Sequence, residues 1–132
     1  MTQEDKQLLL QDLCARLPHG VIVSTPKGNG HLCSINQTIF GNEYGVNIDA
    51  TKRDYFNDNE CDIKPYLRPM SSMTKEEYRE LEGLLQKHNF NLNEETASIE
   101  IDWLNAHHFD YRGLIEKGLA IAVTEENNPY KE

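Results

Sequence analysis

Val21-Ile22-Val23-Ser24-Thr25-Pro26-Lys27-Gly28-Asn29-Gly30-His31-Leu32-Cys33-Ser34-Ile35 decides the fold class. A β-branched run enters a cluster of turn residues, and a second apolar-polar run leaves it. Pro, Lys, Gly and Asn in succession supply turn chemistry, so the two runs are expected to pair as a hairpin. The Gly28-Asn29-Gly30 triplet lacks the following helix that a phosphate-binding loop needs, so its use is the turn.

Outward from the hairpin, further short strand candidates follow on the C-terminal side. They are Thr38-Ile39-Phe40, Tyr44 to Ile48, and Ile63 to Leu67, the last demoted by Pro65 to an edge or a strand end. Residues 49–60 read as a polar loop. Short strands at close spacing give a small, bent antiparallel sheet, for which an SH3-like barrel is one form.

On the N-terminal side, residues 3–17 read as a helix. Thr2 is its N-cap, Glu4 and Asp5 sit in the first turn, and Leu9, Leu10, Leu13, Cys14 and Leu17 recur at helical spacing. Pro18-His19-Gly20 ends it. Beyond the sheet, Thr74-Lys75-Glu76-Glu77 is a capping box for a helix over 74–88, with Tyr78, Leu81, Leu84 and Leu85 on one face. Asn89 to Asn93 is a break. The segment 96–107 carries both alternating and helical spacing, and the absence of a turn signal before Phe109 favours helix. Asp110 is placed to cap a short helix over 111–117, which Gly118 ends. Leu119 to Val123 is expected to dock on the core, and residues 125–132 to form a flexible tail. The result is one α+β domain over 1–124, with an N-terminal helix, a small bent antiparallel sheet and C-terminal helices. A length of 132 residues fits one core.

The net charge is −9, and residues 91–110 contribute −5 of it through Glu94, Glu95, Glu100, Asp102 and Asp110. That balance argues against binding to phosphate backbones or anionic membrane surfaces. Cys14, Cys33 and Cys61 are odd in number and lack CxxC spacing, which fits free thiols in a reducing compartment. The N-terminus has no signal-peptide pattern, and the expected location is cytoplasmic.

Three stretches, Asp12 to Pro18, Ile63 to Thr74 and Ile101 to Ile115, resemble a family of uncharacterised small proteins of gut anaerobic bacteria and their phages or mobile elements. The resemblance implies a bacterial or phage accessory protein and carries over no catalytic residue.

His107, His108 and Asp110 are metal-ligand types, but adjacent histidines point about 100° apart on a helix and match no HxxxH pattern. Their ordinary use is one packed and one surface histidine. Cys14, His19, Cys33 and Cys61 have irregular spacing for zinc, and a buried thiol is common core material. Cys14 or Cys33 with His19 or His31 contains the components of a nucleophile and base but no elbow motif, and Ser71-Ser72 serves a turn. No cofactor or metal is expected.

Tyr66, Arg68, Trp103, Tyr111 and Arg112 belong to the residue types enriched at binding hot spots. Their ordinary use is aromatic core anchors and arginines paired with local acids. These residues set the leading expectation, a non-enzymatic accessory protein that binds a protein partner. The rivals are a small metal-dependent enzyme built on His107, His108 and Asp110, and an acidic mimic of nucleic acid built on Glu94 to Asp110.

Overall fold

The computed structural model describes residues 2–26, 28–37, 44–48, 52–56, 63–87 and 94–130. Thr38 to Phe40, Cys61 and the break at 89–93 lie outside them. The first helix, α1 (Gln3–Arg16), continues as a 3₁₀ turn over Leu17–His19. The Thr2 hydroxyl accepts the Asp5 amide at 3.0 Å, the cap expected from sequence. Leu9 and Leu13 are buried, but Cys14 is exposed. The buried stripe instead continues through Asp12 and Arg16, and Cys14, expected on it, faces water.

The strands are β1 (Ile22–Thr25), β2 (Gly28–Gln37), β3 (Tyr44–Ile48), β4 (Lys52–Phe56), β5 (Lys64–Leu67) and β6 (Ile121–Ala122). They lie in the order β4-β3-β2-β1-β5-β6. The β1–β2 hairpin forms, but Gly28, Asn29 and Gly30, expected in the turn, begin β2 instead, paired with Thr25, Ser24 and Val23; the φ of 114° at Gly28 suits glycine. The register slips between Leu32 and Ser34, a bulge at Cys33 that bends β2.

Three expectations about the sheet change. It is mixed, because β6 joins β5 in parallel. The polar loop of 49–60 contains β4, fully paired to β3. Strand β5 lies inside the row rather than at its edge, but Pro65 does sit near the strand's end, as its second residue and outside the β6 pairing; its ladder to β1 is two residue pairs long, so the missing amide interrupts little.

The first core lies between α1 and the sheet. Leu9 and Leu13 meet Val21, Val23, Leu32, Val46, Ile48, Ile63 and Leu67, and Leu114 and Leu119 close one end. A second cluster joins α2 (Lys75–Lys87) to α3 (Glu94–Ala106), through Leu81, Trp103, Leu104 and Phe109. The capping box forms as expected: Glu77 N–H donates to the Thr74 hydroxyl at 3.1 Å, and the Glu77 carboxylate accepts Thr74 N–H at 3.0 Å. Tyr78, expected on the buried face of α2, is 60% exposed.

No helix forms over 111–117; residues 114–118 form turns. Asp110 nevertheless caps them, accepting the Leu114 and Ile115 amides at 2.9 and 3.0 Å. The segment read as a tail is anchored through Tyr130. Its hydroxyl accepts the Ile22 amide at 2.9 Å and donates to the Tyr66 carbonyl at 2.8 Å, which ties the C-terminal segment across β1 and β5. No helix among the described residues is long and apolar enough to cross a membrane.

Candidate functional site

Residues of α1, of the segment after β5 and of the segment after α3 converge on one knot. Arg68, at the end of β5, bridges to Phe109 through Arg68 N–H to His108 O at 2.7 Å and Asp110 N–H to Arg68 O at 2.8 Å. From α1, Arg16 is wholly buried. Its Nε donates to Asp12 at 2.8 Å and its Nη2 donates to the Phe109 carbonyl. Asp12, also wholly buried, takes a second guanidinium from Arg112 at 2.9 Å. One carboxylate thus serves two arginines.

This knot accounts for the hot-spot set. Trp103 is buried, stacked on His107 at 4.1 Å and on Phe109 at 5.8 Å. Tyr66 is buried, with its hydroxyl 3.3 Å from the Asn29 side chain. Tyr111 donates to Asn105 at 3.0 Å and carries the Arg112 guanidinium over its ring at 4.6 Å. Arg68 lies over the Phe109 ring at 4.3 Å and grips Glu77 with two bonds of 2.6 and 2.7 Å. All five side chains are committed inside the fold; the arrangement is that of aromatic anchors and paired arginines.

The Arg68 grip, reinforced by Thr74, holds the Glu77 carboxyl down at about 2 against the opposing effect of desolvation. A depressed folded value means stabilisation present above the ordinary carboxylate range and lost as pH falls from about 4.5 through 2. Water reaches this pair, so its contribution is about 1 kcal/mol or less. Urea midpoints followed from pH 7 to 2 should fall more steeply in the native protein than in Glu77→Gln. Parallel curves would show that the pair contributes nothing.

His107 and His108 end α3 in a Schellman motif. His108 N–H bonds Asn105 O at 3.1 Å, Phe109 N–H bonds Leu104 O at 3.0 Å, and His108 holds the left-handed φ of 64° usually given to glycine. The His108 ring lies flat on Tyr130, 3.9 Å away. Its Nδ1 is buried with no hydrogen-bond partner. Burial, followed by the positive fields of Arg16, His107, His19 and Arg68, holds its pKa down at about 4. The Tyr130 phenol is pushed well up by burial, so it stays protonated and keeps both its bonds. His107 Nδ1 sits 3.0 Å from the Trp103 carbonyl. A carbonyl only accepts, so Nδ1 carries the proton and Nε2 is left for another partner.

Both histidines line an open pocket of about 820 Å³ with Arg68, Ser72, Thr124, Glu125, Asn128 and Tyr130. Sequence had marked His107 and His108, but not their partner Tyr130. Asp110 is turned to backbone amides instead of joining them. Among the described residues, no three His, Cys, Asp or Glu side chains are grouped to hold a metal ion.

Fold and site together define an α+β domain with an internal arginine-carboxylate knot and a histidine-lined pocket above it. No protein-family model, curated protein or solved structure matches the chain.

Proposed function

We propose that the protein is a non-enzymatic accessory protein that binds a protein partner, and that its contact face lies on α2 rather than on the aromatic-arginine set. The observation that carries this reading is the placement of exposed apolar groups. Among the described residues Tyr78, Met70 and Ile101 are the large apolar side chains most open to water, at 60, 43 and 41%. Tyr78 and Met70 line one groove of about 640 Å³ with Met73 and Leu81. Methionine and tyrosine supply adaptable apolar area at low entropic cost, which is why interfaces favour them. Lys75 and Arg79 line the groove together with Glu82 and Glu100. Charges of both signs around an apolar floor suit an amphipathic helix whose stripe is flanked by an acid and a base. The resemblance to small proteins of gut bacteria and phages supports an accessory role in a bacterial cytoplasm.

Capture from a host lysate by native protein and by Tyr78→Ala tests this reading. Tyr78→Ala should shift the melting temperature little, because the side chain packs against little, and should weaken capture of a stoichiometric partner at least tenfold. Undiminished capture would remove the groove from the reading. Capture abolished by salt and competed by DNA would favour the acidic mimic instead.

A further inference from the structure

The pocket beside His107 and His108 lies far in character from the rest of this acidic chain. We infer that it is a binding site for a small oxyanion, a carboxylate or phosphate group, received by His107, His108 and Asn128 with Arg68 at its margin. This site is separate from the α2 groove and stands or falls independently of it.

Four observations converge. The first is the pocket itself, about 820 Å³ and bounded by Arg68, His107, His108, Thr124 and Asn128. The second is that His108 Nδ1 is buried without a partner, a condition that native proteins rarely leave unrelieved. The third is backbone conformation. A left-handed φ is strained for any residue with a Cβ, and glycine would hold the same turn without cost, so the imidazole is retained at the expense of strain.

The fourth is the balance of charge. Burial first, and then the fields of Arg16, His107, His19 and Arg68, disfavour a charge on His108, although Arg16 and Arg68 each have a carboxylate partner. Nearby acids are occupied. Asp12 is shared between Arg16 and Arg112, which leaves that buried group one positive charge in excess. Asp110 is turned to two backbone amides, and Glu77 is gripped by Arg68. Arg16 Nη1 is itself buried and unpartnered. Glu125 is the carboxylate on the pocket wall, and it is exposed to water.

An anion answers all four. Its charge offsets the excess, and its oxygens accept from His107 Nε2 when that nitrogen carries a proton, and from His108 Nδ1 once the ligand has opened the contact that closes this nitrogen to water. Asn128 Oδ1 accepts from Tyr130 N–H at 3.0 Å, which leaves the Asn128 NH₂ for the ligand. The Thr124 hydroxyl oxygen accepts from Asn127 N–H at 3.1 Å and keeps its own proton to donate. Charge-assisted bonds of this kind are about twice as strong as neutral ones.

The test is a titration of the full-length protein with inorganic phosphate, and separately with acetate, at constant ionic strength set with chloride. Histidine ring resonances are followed by NMR at several pH values. Saturating shifts of His107 and His108 below about 10 mM are expected. Bound anion should raise the His108 titration midpoint by about one pH unit, a tenfold preference of the anion for the protonated ring. His108→Asn tolerates the left-handed turn but loses the imidazole, and should abolish saturation. If that variant melts early, Asn128→Ala replaces it, with affinity lowered several-fold. Saturation by phosphate alone or by acetate alone supports the site and names its source. Shifts that stay linear for both anions, or saturation undiminished in the variants, would overturn the inference.

Discussion

Replacing Asp12 by Asn is expected to remove about 3–5 kcal/mol of stability, the usual consequence of taking away one partner of a buried ion pair. Asp12 and Arg16 are both wholly excluded from water, and Arg112 completes the group from a position 100 residues away in sequence. Asparagine preserves the shape but not the charge. Its one oxygen can accept from one guanidinium, and its NH₂ then faces the other. Two cations would lie in low dielectric with no carboxylate, and neither lysine-like flexibility nor deprotonation relieves an arginine. Single domains are stable by only about 5–15 kcal/mol, so urea unfolding should show a large drop in midpoint. A loss under about 1 kcal/mol would mean that water already reaches these charges and that the knot is not an internal one.

The same group explains how much of the protein was legible in its sequence. Local features read well because their causes are local. The pairing of the hairpin (though not the extent of its turn), the Thr74–Glu77 capping box, the Thr2 cap, the helix over 94–106 and the left-handed Gly118 at φ 74° each depend on a few adjacent residues. Burial of charge did not read, because its cause is distant. Arg16 bonds a carbonyl 93 residues away, and Tyr130 bonds an amide 108 residues away. A signal for the first was present: Leu9, Asp12, Leu13 and Arg16 fall on one helical face, so a charged pair stood on the apolar stripe itself. Cys14 was put there because a thiol counts as apolar, yet its position faces away from Leu9 and Leu13. The signal for Tyr130 was weaker, a single aromatic ring in the polar segment after Thr124.

Tyr, Trp and Arg also mark two opposite things. The chemistry that makes them strong contacts at an interface makes them strong contacts inside a fold, and composition does not separate the two. What separates them here is the supply of internal partners. Arg68 and Arg112 each have a carboxylate, Trp103 has His107 and Phe109, and Tyr111 has Asn105. Tyr78 is mostly exposed despite lying on the face that the spacing of Leu81, Leu84 and Leu85 assigned to the core. A residue whose pattern says buried and whose position says exposed is the better candidate for a partner's surface.

Phe109→Ala is expected to have the other large effect, about 3–5 kcal/mol, the usual range for removing a wholly buried phenylalanine. Phe109 is where the second cluster joins the first. Its amide closes the end of α3 on Leu104, its carbonyl accepts from Arg16 of α1, and its ring lies between Trp103 and the Arg68 guanidinium. Alanine retains the two backbone bonds but leaves a cavity where the ring was, and Arg68 loses the surface that its guanidinium covers. The loss should therefore be uneven. By amide hydrogen exchange, α3 should lose more protection than β1 and β2, whose core of Val21, Val23 and Leu32 does not include the ring. Equal losses in both regions would show that the two clusters unfold as one cooperative unit. A total loss below about 1 kcal/mol would show that the site collapses around the missing ring, and would deny Phe109 its place as the joint between α3 and the sheet.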